Sequence, residues 1–269
     1  MKNSCETDDI TIFTGFNMDA SKNEIDNSLF IQNYFWSPNT SINKIIENYC
    51  LSKNFIKNLE IGPGYIPFKL ATHFIGSNEK IANYTDVDID CESFPFETDF
   101  FDFVYCRHVL EDIQNPDFAL NEIIRVSKFG AYIETPSPLI EVTKNVDGTA
   151  FSEKYCGYIH HRYIVWSSIE KNEIYFLPKY SCILDHLLEN NDQTNKEICY
   201  LINNYPVYWN NYFLFTNIKK PTIIMYKNGV NFNVKGVSMV EDYLSFVNKA
   251  VNETIENTNF FIQNYKSFY

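Results

Sequence analysis

Positive charge is scarce in this 269-residue chain: 22 lysines and arginines stand against 34 aspartates and glutamates, a formal net charge of −12, with no basic run. A phosphate backbone has to be met by clustered cations, so nucleic acid is a poor partner. The 7 cysteines are odd in number and scattered, with no C-x-x-C pair and no zinc-like spacing. No metal is assigned, and the thiols read as reduced and buried in an intracellular protein. No apolar run approaches the roughly 20 residues of a membrane-spanning helix, and the opening "MKNSCETDDITIF" holds no apolar leader core. The expectation is a soluble, cytoplasmic protein that neither crosses nor binds a membrane. Internal repeats and low-complexity linkers are lacking too, which leaves one domain with elaborations.

What the chain does hold is apolar substance, 45% hydrophobic and 17% aromatic, enough for a sizeable core. Residues 1–52 read as a helical extension, with Ile42, Ile45, Ile46 and Tyr49 at helical spacing in "SINKIIENYCL". They are expected to cap a site or cover one end of a sheet. From about residue 53 to 230, apolar strands alternate with helices. "FIKNLEIG", "THFIG", "ANYTDVDID", "FDFVYCRHVL" and "AYIET" are strands, and "PFKLA" is a short helical turn. The clearest helix is "NPDFALNEIIRVSKFG", with Asn115 as N-cap, Pro116 in the first position and Gly130 closing it. Later strands are "NEIYFLPK", "VYWNNYFLF" and "PTIIMY", the last two read as a hairpin. Residues 231–269 hold a docking helix opened by the capping box Ser238 to Glu241. Such alternation implies an α/β, Rossmann-like, doubly wound and mostly parallel sheet with an antiparallel final strand.

"NLEIGPGYIPF" places Gly62 and Gly64 directly after a strand, where a backbone turn can approach a nucleotide-like ligand. A dinucleotide fingerprint needs a third glycine, and Pro67 stands there instead. Asp86, Asp88 and Asp90 in "DVDID" have calcium-loop spacing, but Cys91 occupies the turn position that glycine must fill, so Asp86 and Asp88 are read as solvated. Asp102 is read as a structural cap before its strand.

The sequence resembles the class I S-adenosylmethionine-dependent methyltransferases, and most of all a subgroup common in bacterial glycan and secondary-metabolite gene clusters. The resemblance rests on "LEIGPG", "DCESFPFETDFFDFV", "HVLEDIQNPDFALNEIIRVSKFG", "YIETPSPLIE" and "HHRYIVW", in order over roughly residues 56 to 180. It implies S-adenosylmethionine as cofactor. Gly62, Pro63 and Gly64 would form the turn at its amino-acid end, oriented by Glu60. Asp90, with the backbone at Cys91, would meet the adenine, and Arg107 and His108 would border the sulfonium and the acceptor. Two departures stand out. The acid that holds the ribose hydroxyls should fall near Gly76, where "GSNEK" offers Asn78 or Glu79, and Asp112 replaces the usual histidine of V-L-E-H.

A hydroxyl acceptor needs a base, for which His108, His160 and His161 are the candidates. Adjacent residues on a strand face opposite ways, so His160 and His161 are not expected to serve one pocket. The expected activity is methyl transfer to a hydroxyl of a small-molecule or carbohydrate acceptor, a homodimer being compatible with it. The alternative is a methyltransferase-like scaffold without turnover. The aromatic wealth reads as core, with a stacking platform for a sugar ring as the sharper option.

Overall fold

A computed structural model describes residues 39–76, 82–144, 146, 155–181, 184, 192–226 and 238–269. The first element, α1 (Thr40–Ser52), starts where Asn39 Oδ1 accepts the N–H groups of Ser41 and Ile42, each at 3.1 Å. Its apolar stripe of Ile42, Ile45, Ile46 and Tyr49 is buried. The Tyr49 ring meets Phe103 of the sheet and Tyr265 and Phe268 at the end of the chain. This part of the extension therefore covers a sheet face; the rest of it, residues 1–38, lies outside the described residues.

Six strands form the main sheet: β1 (Asn58–Ile61), β2 (His73–Gly76), β3 (Tyr84–Asp86), β4 (Phe103–Arg107), β5 (Gly130–Pro136) and β8 (Asn210–Thr216). Their order is β3-β2-β1-β4-β5-β8, the first five parallel and β8 antiparallel to β5. The doubly wound expectation holds. Side chains alternate across this sheet as its pleat requires. Phe103, Tyr105 and Tyr132 share a core with α1, with α4 (Asp192–Asn204) and with the long helix α5 (Ser238–Tyr265). Val104, Cys106, Ala131 and Ile133 pack with Leu120 and Ile123 of α2 (Pro116–Val126).

Four local expectations are corrected. "PFKLA" forms only a turn, so β1 reaches β2 through a loop without a helix; Pro63 and Pro67 each push the preceding residue away from α geometry. Asn115 sits at the N-cap of α2 with Pro116 after it, but its amide donates to the Asp90 carbonyl at 3.1 Å instead of accepting a helix N–H. Gly130 opens β5 instead of closing α2, which ends at Ser127 with its N–H on the Ile123 carbonyl. "VYWNNYFLF" and "PTIIMY" are not a hairpin. β9 (Thr222–Met225) leaves the main sheet and runs parallel to β7 (Glu173–Pro178), in a second sheet ordered β6-β7-β9 with β6 (Tyr163–Ser168). Asn172 draws it there, donating to Lys219 O at 2.9 Å and accepting from Thr222 N at 3.0 Å.

The helix α5 begins at Ser238 as expected, while the side chains of its first turn lie outside the described residues. It joins the two sheets. Buried Asn257 donates to Tyr212 O at 2.7 Å and Ser167 Oγ at 3.1 Å, and accepts Ile169 N–H at 2.8 Å. Leaving these groups unpaired costs about 1–3 kcal/mol. Asn257→Leu is therefore expected to lower unfolding free energy by about that much, read from urea titration, with ligand binding at the distant cleft unchanged.

Candidate active site

The chain leaves β1 through Gly62, whose backbone is left-handed at φ 62°. Its N–H donates to Ile75 O at 2.8 Å, and a Cβ there would lie 2.5 Å from Val109 Cγ2. Conformation and space both require glycine. One residue before the strand ends, Glu60 turns back and accepts the Phe68 N–H at 2.8 Å, clamping the loop that follows the turn. Burial pushes the Glu60 carboxyl up to about 7, against the Phe68 N–H and the Arg107 charge, which both hold it down.

Two clefts open at the carboxyl ends of the parallel strands, at the point where strand order reverses between β1 and β4. Open α/β sheets bind ligands there. The first, about 380 Å³, is lined by Gly62, Gly64, Arg107, His108, Glu111 and Asp112 from the main sheet, and by Tyr158, His160 and His161 from the approach to β6. The second, about 570 Å³, is bordered by Gly76, Asp86, Asp88, Asp90 and Ile113. They adjoin where Gly62 and Gly76 touch: a Cβ on Gly76 would stand 3.4 Å from Gly62 Cα.

His108 follows β4 in a left-handed conformation, φ 53°, with its N–H on Glu134 O at 2.8 Å. Its Nδ1 lies 3.5 Å from Glu111 Oε1 and its Nε2 3.7 Å from Glu134 Oε1. Burial lowers its pKa, leaving the ring neutral near pH 7 although Glu134 opposes the shift.

The two adjacent histidines converge instead of diverging. Residues 159–162 precede β6 and form a turn, not a strand, so the pleat does not separate their rings, whose centroids are 4.5 Å apart. His161 is buried, with Nδ1 2.5 Å from Glu141 Oε1, whereas His160 is largely exposed. Burial would lower the His161 pKa, but the Glu141 carboxylate outweighs it and the net shift is upward. Glu141 itself, in the short helix α3 (Pro138–Glu141), is held at about 2: burial would raise it, and Lys179 and His161 prevail.

Glu111, Glu141 and Lys179 are site residues that the sequence reading passed over. Glu111 lay inside the quoted "HVLED", and its place three residues after His108 was the available signal; Glu141, inside "PSPLIE", is 20 residues from His161 and gave none. Glu111 is buried, and burial pushes its carboxyl up to about 8.

Other expected residues fall differently. Pro63 is buried beneath the turn. Asp90 borders the second cleft, but its carboxylate is engaged by Gln114 N at 2.9 Å and Asn115 N at 2.7 Å, tying down the loop before α2. Cys91 is exposed beside it, its Sγ donating to Asp88 Oδ2 at 3.0 Å. Asn78 and Glu79 lie outside the described residues. Asp102 is structural as expected, its Oδ2 accepting the N–H groups of Ile56 and Lys57 at 2.9 and 3.0 Å.

Residues 60–134 match the family model of a methyltransferase domain. That span runs from Glu60 through the glycine turn and His108 to Glu134, and it indicates S-adenosylmethionine as co-substrate. Among solved structures, an S-adenosylmethionine-dependent methyltransferase from Mesorhizobium loti is similar at 18% identity over 33% of this chain and 50% of its own, with TM-score 0.28. One from Thermotoga maritima shows 21% identity over 35% and 49%, with TM-score 0.27. The chain thus spans about half the length of these two structures. The [4+2]-cyclase SpnF shows 14% identity over 72% of this chain and 87% of its own, with TM-score 0.32. No curated protein sequence matches significantly. Among the described residues, no helix is long and apolar enough to cross a membrane.

Two predictions concern the site's frame. Glu60 has a folded-state pKa near 7 against an ordinary 4.5, so its carboxyl binds a proton more tightly in the fold than in the unfolded chain. Its contribution is full below about pH 4.5 and is lost as pH rises toward 7, by up to about 3 kcal/mol. Glu60→Gln retains the acceptor for Phe68 and should flatten the pH dependence of stability between pH 5 and 8. At Gly157, φ 61°, a Cβ would stand 2.7 Å from Glu141 Cα and 2.8 Å from Lys179 Nζ. Gly157→Ala should destabilise the fold by at least about 1–2 kcal/mol from the left-handed backbone alone, seen as a lowered urea midpoint.

Proposed function

We propose that the chain transfers a methyl group from S-adenosylmethionine to a hydroxyl of a small or glycan-linked acceptor. The observation that carries this reading is the pair of adjoining clefts at the switch point, both bordered by the segment that matches a methyltransferase domain. The residues present fit the group. At Gly62 a side chain would press on Val109, so the backbone itself forms the approach, and Arg107 and His108 border the same cleft.

Bound S-adenosylmethionine supplies an electrophilic methyl group on a positively charged sulfur. In this reading the Gly62–Gly64 turn holds its amino-acid end, with Glu60 fixing the loop behind. The acid missing from the end of β2 is supplied from the next strand: Asp86 ends β3 as the register partner of Gly76 and borders the second cleft. Asp90 shapes the adenine side through the loop it anchors.

His108 serves as the base. Its ring is neutral and its backbone is fixed, and Nε2, shielded from water and 3.7 Å from Glu134 Oε1, has no hydrogen-bond partner among the described residues. It takes the proton of the acceptor hydroxyl as the new carbon–oxygen bond forms. Alignment of the two reactants can contribute about 7–11 kcal/mol, and the base about 10²–10⁴-fold. At the cleft wall, exposed Tyr65 and the Tyr158 ring offer apolar faces of the kind that stack on a sugar. The acidic charge supports a small-molecule acceptor over nucleic acid.

The test is calorimetric titration with S-adenosylhomocysteine, NAD serving as control. Micromolar binding of the thioether alone is expected. Binding without turnover on any hydroxyl acceptor would favour the scaffold reading, and no binding would refute the proposal. His108→Ala should retain thioether binding and lose about 10²–10⁴-fold in turnover, measured by methyl transfer to an accepted sugar; unchanged turnover would remove His108 from the mechanism.

A further inference from the structure

The sequence reading assigns no metal, and methyl transfer as proposed requires none. We infer that Asp112, His160 and His161 form a binding site for one divalent transition-metal ion, zinc being the best fit, at the acceptor end of the first cleft. Their ligand atoms all lie within 4.8 Å of one another. Asp112 Oδ1 is 3.8 Å from His160 Nε2 and 3.8 Å from His161 Nε2.

Neither contact is a hydrogen bond at that length. Asp112 Oδ1 is shielded from water and has no hydrogen-bond partner among the described residues. Three polar atoms thus face one another without satisfying one another. A tetrahedral ion with bonds of 2.0–2.1 Å sets its ligands about 3.3 Å apart. The two Asp112–histidine spacings need to contract by about half an ångström around it, and the His160–His161 spacing, within 4.8 Å, by up to about 1.5 Å, a shift that the exposed His160 ring can supply by rotating.

The surroundings point the same way. Metal-bound histidines almost always use their second nitrogen on a carboxylate or carbonyl, which fixes the ring and raises its basicity. Here His161 Nδ1 is held by Glu141 at 2.5 Å, and Glu141 is itself held by the buried Lys179. That directs Nε2 to the cleft. The Asp112 backbone is held by Arg162 Nε, which donates to its carbonyl at 3.0 Å. A separate observation is Glu111. Its side chain is 2% exposed, it borders the same cleft, and neither carboxyl oxygen has a hydrogen-bond partner among the described residues. An acid so placed awaits a ligand or a metal-bound water.

Two imidazoles and one carboxylate select zinc-type ions over magnesium, which prefers oxygen alone. Three protein ligands leave a position open for an incoming oxygen, as catalytic zinc sites do. An acceptor hydroxyl there would lose its proton more readily to His108. That last role rests on the methyl-transfer reading; the ion's binding does not.

The test uses the full chain, stripped of metal with a chelator and titrated calorimetrically with zinc chloride and, separately, magnesium chloride. One zinc per chain is expected, with magnesium far weaker. His160→Ala removes an exposed ring and leaves the fold intact; it should weaken zinc binding by at least about tenfold, and Asp112→Asn likewise. Cobalt in place of zinc should give a visible absorption band that His160→Ala abolishes. Zinc binding that is absent, or unchanged in both variants, overturns the site. Thioether binding is measured on the same samples: if it fails while zinc still binds, the methyl-transfer reading falls and the metal site stands.

Discussion

The backbone carbonyl of Glu111 accepts two N–H groups, Arg162 at 2.8 Å and Tyr163 at 3.2 Å. Around it, Arg162 Nε donates to Asp112 O and Tyr163 OH to Gln114 O, both at 3.0 Å. These bonds stitch the first residues of the second sheet to the loop that follows β4. Without them the turn carrying His160 and His161 would have no reason to lie over the switch point. The wall of the cleft formed by residues 158–162 is therefore held by bonds to main-chain carbonyls of the loop after β4, with its titratable side chains left to face inward.

That inward-facing set is unusually acidic for a buried region. Charges buried without partners are costly, and such groups either pair or shift their pKa values. Both solutions occur in and behind one cleft: Glu111 lines it, Glu141 stands behind His161, and Glu60 holds the loop after the glycine turn. Glu141 is paired by Lys179 and His161 and stays ionised, whereas Glu111 and Glu60 are pushed up by burial to about 8 and about 7. Carboxyls driven apart in this way mark functional sites more often than structural ones. The methyltransferase-domain match over residues 60–134 covers Glu60 and Glu111, and the elements after it supply Glu141 and Lys179.

Much of this was legible in the residues. The parallel core follows from short apolar strands alternating with helical periodicity, and the turn at the cleft from Gly62 and Gly64 after β1. Glu60 was read as orienting that turn, and its bond to Phe68 N fits such a role. What was not legible depends on non-local pairing. Nothing local says that β8 and β9, separated by five residues, enter different sheets; Asn172, in the turn between β6 and β7, holds β9 in the second. The opposite-face argument for His160 and His161 failed because they lie in a turn just before β6, a boundary one or two residues beyond what "HHRYIVW" reveals. Asp90 was read toward the adenine; that its carboxylate also ties down the loop at Gln114 and Asn115 is a pairing that sequence alone does not bring near.

The central claim is that one ligand spans the glycine turn and the ends of β3 and β4. Hydrogen exchange with and without S-adenosylhomocysteine tests it most directly. The account predicts added protection in the backbone of residues 61–68, 86–92 and 105–113 together, with little change in α5. Protection absent from all three segments, or confined to the turn at 158–161, would contradict it.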